Sequence, residues 1–311
     1  MTPYDRGLFA GVDIGGTTTQ VVLCADDLSV LNRAEVPTPA AHGGPAMIRA
    51  ALDALAPLVE SAPGRLTGCG VGAAGVVDSA TGHILVASDS FTGWAGFGVT
   101  DAVQDALGVP AFLDNDVNAF LYGEVSGGAV RGEPDVLGIT LGTGVGGALW
   151  SGGALFTGPH GAAGEIGHIP GFGDLLCSCG GRGHLETLAS GRSIGARYTE
   201  RTGRRLTARE VARAADGGDE DALAVYRAAG AGIARAIVMT AGVVDITTVV
   251  VGGGVSHAWH LLRPFVLASL AAEPPVSGHP VRLVRSALGA DAVPVGAAAR
   301  ARVELATSSP V

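Results

Sequence analysis

Short apolar blocks, each closed by glycine or a polar turn, fill the first 130 positions or so. Leu8 to Ile14 predicts a strand, Gly15-Gly16-Thr17-Thr18-Thr19 a tight turn and Gln20 to Cys24 a second strand, so the chain opens on a hairpin. Val30 to Val36 predicts a third strand. Ile48, Leu52, Leu55 and Val59 recur at helical spacing and predict a helix over Pro45 to Glu60. Leu66 to Val71 predicts a strand that runs into the small-residue stretch Gly72 to Asp78. A short strand at His83 to Ala87, a loop from Ser88 to Phe97 and a helix from Asp101 to Leu107 follow. Pro110 to Leu113 then leads a strand into Asp114-Asn115-Asp116, with a helix from Val117 to Val125.

The second half repeats the opening device. Val136 to Leu141 predicts a strand, Gly142-Thr143-Gly144-Val145-Gly146-Gly147 a glycine turn, and the stretch to Gly153 a returning strand with its own turn. Two similar hairpins in two halves point to a duplicated fold clamping one nucleotide. Beyond Glu186 the spacing is helical over Leu188 to Glu200, Ala208 to Ala215 and Glu220 to Val243. Ile246 to Val251 predicts a buried strand, broken by Gly252-Gly253-Gly254 before a helix from Ala258 to Leu270. After Val281 to Val284, the alanine-rich segment Asp291 to Leu305 predicts a last helix, with Thr307 to Val311 as a frayed tail. The chain shows no low-complexity linker and no solenoid repeat.

Composition narrows the classes. A chain of 311 residues can bury two cores, and 47% hydrophobic with 16% charged residues describes a globular protein. The most apolar region, Ala231 to Val251, is interrupted by Arg235 and Asp245, which argues against a membrane span. Met1 to Arg6 is polar and leads into no signal-like segment, so a cytoplasmic protein is expected. The net charge of −9 argues against a nucleic-acid partner. All 20 basic residues are arginine. Without lysine there is no P-loop lysine and no Schiff-base lysine, so polyphosphate would need backbone amides, hydroxyls, Arg or a metal.

Six stretches carry candidate chemistry. Asp13 beside the Gly15-Gly16-Thr17-Thr18 turn suits a nucleotide and its Mg²⁺, although an ordinary hairpin turn leaves the same pattern. The stretch ending in Gly75 allows close backbone approach to a ligand, or is a plain turn. Asp114-Asn115-Asp116 places polar groups at the mouth of a sheet; one carboxylate can cap the next helix, or can take a proton from a sugar hydroxyl. Gly142 to Gly147 fits a dinucleotide fingerprint, but that fingerprint must open a helix and here a strand follows. Gly252-Gly253-Gly254 lets a flat ring or phosphate lie on backbone, or merely packs strand on helix. His168, Cys177, Cys179 and His184 offer two imidazoles and two thiols within seventeen positions, the donor set of a tetrahedral structural zinc. Glu165 and Glu186 flank them. Cys24 and Cys69 sit in strand-like runs as inert buried thiols.

Together these motifs resemble the ROK family of sugar kinases, in the actin/hexokinase-like superfamily. The resemblance rests on Asp13-Ile14-Gly15-Gly16-Thr17, Asp114 to Ala119, Leu141 to Gly147, Ala163 to His168, Cys177 to Gly180, Leu185-Glu186 and Val250 to Gly254, in order over nearly the whole chain. It implies an α/β, two-lobed actin-like ATPase (ribonuclease H-like) fold with an interdomain cleft and a zinc-bound loop. The small lobe would be residues 1–116 plus 291–311, and the large lobe 117–290. ATP and Mg²⁺ would sit in the cleft beside a hexose. Asp116 matches the family's base, transferring phosphate to the 6-hydroxyl. Asn115, Glu165, His168 and Glu186 match sugar-binding positions, Gly15 and Gly142 the phosphate turns, and Gly252 the adenosine site. A homodimer is implied as well.

Two positions depart from the family pattern. His184 stands where a third cysteine is usual, giving a His₂Cys₂ shell. Asp89-Ser90 stands where an Asn usually precedes the tryptophan matched by Trp94, which suggests an amino-sugar such as glucosamine or kanosamine, against plain glucose reached through a water. An N-acetylhexosamine kinase is the alternative. A sugar-responsive regulator would need a helix-turn-helix ahead of Leu8, and a non-catalytic sensor would have lost Asp116 or the turns.

Overall fold

The computed structural model describes residues 7–88 and 90–308. Two compact units result, one from residues 1–132, 157–163 and 287–311 and the other from residues 133–156 and 164–286.

The first unit is built on strands β1 (Leu8–Ile14), β2 (Thr18–Cys24), β3 (Val30–Pro37), β4 (Leu66–Ala73) and β7 (Ala111–Asn115). Their order is β3-β2-β1-β4-β7, antiparallel through the first three and parallel from β1 to β4 to β7. A separate ribbon pairs β5 (Val76–Asp78) with β6 (His83–Val86). Sequence pattern shows β5 only as part of a small-residue turn, because three residues carry too little alternation. Helices α1 (Gly44–Glu60) and α2 (Val99–Leu107) bury Met47, Leu55, Val99 and Val103 in the core of this unit. Helix α3 (Asp116–Gly127) follows β7 directly.

The C-terminal helix Ala292–Ser308 lies against β1, β4 and α3 at backbone distance. A Cβ added at Gly11 would strike the Pro294 carbonyl, one at Gly70 the Ala297 carbonyl, and one at Gly296 the Ala119 carbonyl. Buried Glu124 accepts backbone N–H groups from Ala129 (2.7 Å), Ala287 (3.2 Å) and Leu288 (3.0 Å), which fixes where that helix starts.

The second unit repeats the sheet: β8 (Val136–Leu141), β9 (Val145–Ser151), β10 (Ala154–Phe156), β11 (Thr248–Gly252) and β12 (Arg282–Arg285), ordered β10-β9-β8-β11-β12. Again three strands form an antiparallel meander and two follow in parallel. The duplication expected from the two hairpins is therefore present in the topology. The turn after Gly142 opens strand β9 and no helix, as the rejection of a dinucleotide fingerprint requires.

Helices α4 (Glu186–Ala189), α5 (Gly191–Thr202), α6 (Ala208–Asp216), α7 (Glu220–Val244) and α8 (Trp259–Ala272) pack on this sheet. The single helix expected over Leu188 to Glu200 is split at Ser190. That residue is extended, and its hydroxyl accepts the Ser193 N–H at 3.1 Å to start a new helix. Helix α7 is long and apolar enough to cross a bilayer by composition, but Val225, Tyr226, Ile233 and Ile237 pack into the core of the unit.

Candidate active site

In the first unit the sheet delivers three strand ends to one edge. Register places Asp13, Gly72 and Asp114 in one row across β1, β4 and β7, and Ile14, Ala73 and Asn115 in the next. Ligands of open α/β sheets bind at this carboxyl edge. The turn after β1 closes with Gly15 N–H donating to the Thr18 carbonyl at 3.1 Å, leaving Gly16 and Thr17 exposed and Thr18 half-buried. Asp13 is half-buried, and its carboxyl is pushed up to about 8, first by burial and then by the charge of Asp116. Those two carboxylates therefore share one neighbourhood.

Asn115 is the helix cap of α3, a role the sequence offered to a neighbouring carboxylate. Its Oδ1 accepts the N–H groups of Val117 (2.8 Å) and Asn118 (3.3 Å). Its Nδ2 donates to the Gly75 carbonyl at 2.8 Å, so one amide hydrogen is left for a ligand. Gly75 itself has φ +114°, and a Cβ there would strike the Val86 carbonyl. Fully buried Trp94 donates from Nε1 to the Ala74 carbonyl at 3.3 Å and stacks on Phe97, which pins the same turn. Asp116 is the first residue of α3, and its Oδ1 accepts the Val117 N–H at 3.0 Å. Ser90 is exposed, with its hydroxyl 2.6 Å from that of Ser88. Asp89 lies outside the described residues.

In the second unit the Gly142 turn, the triple-glycine turn and the His/Cys loop are joined. Gly253 has φ +84°, and its missing side chain is required because a Cβ would meet the Leu141 backbone. Gly252 ends β11 level with Thr140 of β8, so both turns leave the same edge of parallel strands, with Gly254 exposed. Gly142 N–H donates to the Gly144 carbonyl at 2.9 Å, and Thr143 stands exposed at the tip. Glu186, first residue of α4, ties this turn to the loop: Oε2 accepts the Val145 N–H at 3.1 Å and Oε1 the Ser178 hydroxyl at 2.6 Å.

The four expected donors converge. The ligand atoms of His168, Cys177, Cys179 and His184 lie within 4.8 Å of one another, with Cys177 Sγ 3.8 Å from His168 Nδ1 and Cys179 Sγ 3.2 Å from His184 Nδ1. Burial is the main cause that raises the Cys177 thiol, and the neighbouring Glu186 and Cys179 add to it. A cation is what would reverse that shift, and two thiols with two imidazoles are a donor set suited to zinc. Glu165 is half-buried; burial raises its carboxyl, His168 partly offsets this and Glu186 adds to it. Cys24 and Cys69 are buried free thiols pushed up to about 12 by burial, hence inert.

Sequence reasoning missed Ser178, Asn118 and Arg300. The first was visible only as the spacer between cysteines, and the last lies in an alanine-rich helix with nothing nearby to mark it.

This pair of duplicated sheets, each ending in a glycine turn, belongs to the class of sugar-kinase folds that comparison identifies. The ROK family model matches residues 9–304, so the chain belongs to the ROK family. It is 35% identical over 276 residues to a glucokinase of Halalkalibacterium halodurans, covering 82% of this chain and 83% of that one. It is 34% identical over 267 residues to an N-acetylmannosamine kinase of Escherichia coli, covering 85% and 88%. Among solved structures, a ROK glucokinase from Streptomyces griseus in complex with glucose and AMPPNP aligns with a TM-score of 0.84 at 30% identity, over 96% of this chain and 100% of that one.

Proposed function

We propose that the protein, an ATP-dependent sugar kinase, phosphorylates a hexose or amino-hexose at the 6-hydroxyl with Asp116 as general base. The observation that supports this most is the carboxylate pair Asp13 and Asp116 at one sheet edge. Asp13 pushed up to about 8 by burial and by Asp116 is a site short of positive charge, which fits a divalent cation beside it. Asp13 with Gly15, Gly16, Thr17 and Thr18, and Gly142, Thr143 and Gly144, would hold Mg-ATP through amides and hydroxyls, as a lysine-free chain must. Bound Mg²⁺ would neutralise charge on the transferring phosphoryl group. Asp116 takes the proton of the attacking hydroxyl as its oxygen bonds to the γ-phosphorus of ATP, and the bond to the β-phosphate oxygen breaks to release ADP.

Gly75, Asp89, Ser90, Asn115, Glu165, His168 and Glu186 are assigned to the sugar, and Gly252, Gly253 and Gly254 to adenosine. Zinc on His168, Cys177, Cys179 and His184 is structural in this reading. It stiffens the loop whose Glu186 already grips the Gly142 turn. The same reading makes the protein a cytoplasmic homodimer, and four cysteines that form no disulfide suit a reducing compartment.

The 35% identity to a glucokinase supports glucose, and the Asp89-Ser90 pair supports an amino-sugar such as glucosamine or kanosamine as its equal rival. The 34% identity to an N-acetylmannosamine kinase supports N-acetylhexosamines as the second reading. A coupled ADP-release assay across glucose, glucosamine, kanosamine, N-acetylmannosamine and N-acetylglucosamine decides. Higher kcat/KM for the free amines selects the amino-sugar. Efficient glucose turnover with no gain from an amine ends the amine idea, and preference for the acetylated sugars moves the assignment to the second reading.

A further inference from the structure

Behind the base lies a carboxylate that the proposed chemistry does not use. Asp114 is 3% exposed, yet it carries more partners than any substrate role would leave it. Its Oδ1 accepts the backbone N–H of Asn115 and the side-chain amide of Asn118, both at 2.8 Å. Its Oδ2 pairs with Arg300, 186 residues further along the chain. The Arg300 side chain is 15% exposed and also donates to the Leu113 carbonyl at 2.8 Å. It reaches this point because the C-terminal helix sits at backbone distance on the sheet at Gly11 and Gly70 and on helix α3 at Gly296.

We infer that Arg300, acting through Asp114 and Asn118, is a positioning residue for the proposed base Asp116. The physical reason is the geometry of the junction. Strand β7 becomes helix α3 between Asn115 and Asp116, and a strand-to-helix junction has soft dihedral angles unless something holds both sides. Asp114 holds both: the Asn115 peptide on the strand side and the Asn118 side chain in the first helical turn. Oδ1 is engaged by the strand-side peptide and the helix-side amide while Oδ2 faces the Arg300 guanidinium, so the ion pair fixes the orientation of the carboxylate that joins the two sides. Arg300 also grips the Leu113 carbonyl, within the strand and three residues before Asp116. Asp116 lies two residues beyond Asp114 and moves with the junction.

This rests on Asp116 being the base, so the experiment separates the two claims. Steady-state kinetics are measured for Arg300→Gln, Arg300→Lys, Asn118→Ala and Asp116→Asn, with active protein quantified by folded fraction and sugar affinity by equilibrium binding. Arg300→Gln is expected to lower kcat about tenfold to a hundredfold, the scale of a misplaced reacting group, with sugar KM and ATP KM changed much less. Arg300→Lys, which keeps the charge but not the second contact, recovers part of the loss. Asn118→Ala, which leaves the ion pair intact, lowers kcat by a smaller factor and decides the matter should Arg300→Gln fail to fold. Wild-type kcat per folded molecule in Arg300→Gln, or in Asn118→Ala where the first is insoluble, overturns the positioning role and leaves Arg300 a stabilising residue. Wild-type turnover in Asp116→Asn instead overturns the base assignment itself.

Discussion

The two units share one sheet order but hold their candidate chemistry by different means. In the first, the reactive edge is fixed by secondary structure: Asp116 opens α3, Asn115 caps it, and a helix from the far end of the chain braces the junction. In the second, Glu165, His168 and the cysteines sit on a stretch with little regular structure, held by donor convergence and by Glu186. A packed helix positions by many weak contacts and needs no ligand. A loop cross-linked by a metal would be ordered in proportion to metal occupancy, so the proposed zinc would tie the function of this one to zinc supply and to thiol redox state. The comparison predicts that damage to the first unit shows in kcat, and damage to the second in sugar affinity.

The largest effect is expected for Asp116→Asn, which should lower kcat by about 10²- to 10⁴-fold, the usual weight of a general base, while equilibrium sugar binding persists. Loss of both together would put Asp116 among binding groups and blur the contrast.

Next is Cys179→Ser, or exhaustive chelation of the wild type. Zinc by elemental analysis should fall from near one per chain, Tm should drop, and sugar KM should rise more than kcat falls. A zinc-free protein with unchanged sugar KM would separate the metal loop from recognition.

Asp13→Asn tests the carboxylate pair through stability in chelator. Asp13 has a folded pKa of about 8 against an ordinary value of 3.8. Its neutral form is thus favoured by folding, and stability is lost as pH rises from about 4 through 8. The Asn variant should therefore gain Tm over wild type at pH 8, with a smaller gain at pH 5. An equal difference at both pH values would mean that the Asp13 carboxyl is neither desolvated by burial nor crowded by Asp116. Smallest is Ser178→Ala. It removes one hydrogen bond to a partly exposed Glu186, worth about 1 kcal/mol or less, so a few-fold rise in sugar KM is expected with kcat intact. The same loss falling on kcat would show that the loop reaches the reacting atoms.

What was legible in the chain follows from range. The hairpins at Gly15 and Gly142 announce themselves because a strand, a glycine turn and a returning strand are local and leave a period-two pattern. The His/Cys cluster was readable because cysteine and histidine are scarce in this chain and four of them fall within a short span. The split at Ser190 and the ribbon formed by β5 escaped, since single hydroxyl caps and three-residue strands barely disturb composition.

The sequence by itself determined the element order, the duplicated hairpins, the exclusion of lysine-based phosphate chemistry and the donor set of the loop. These depend on residue type and neighbouring spacing alone. Tertiary structure alone decided that Asn115 rather than a carboxylate caps α3, that Glu186 links the Gly142 turn to Ser178, and that Arg300 stands against Asp114. Each of these joins groups whose neighbours are set by packing and hydrogen-bond geometry. A glycine at 296 reads as an ordinary small residue until a helix is laid on it. Only then does its missing side chain explain how an arginine near the end of the chain comes to lie against Asp114, two residues before the proposed base.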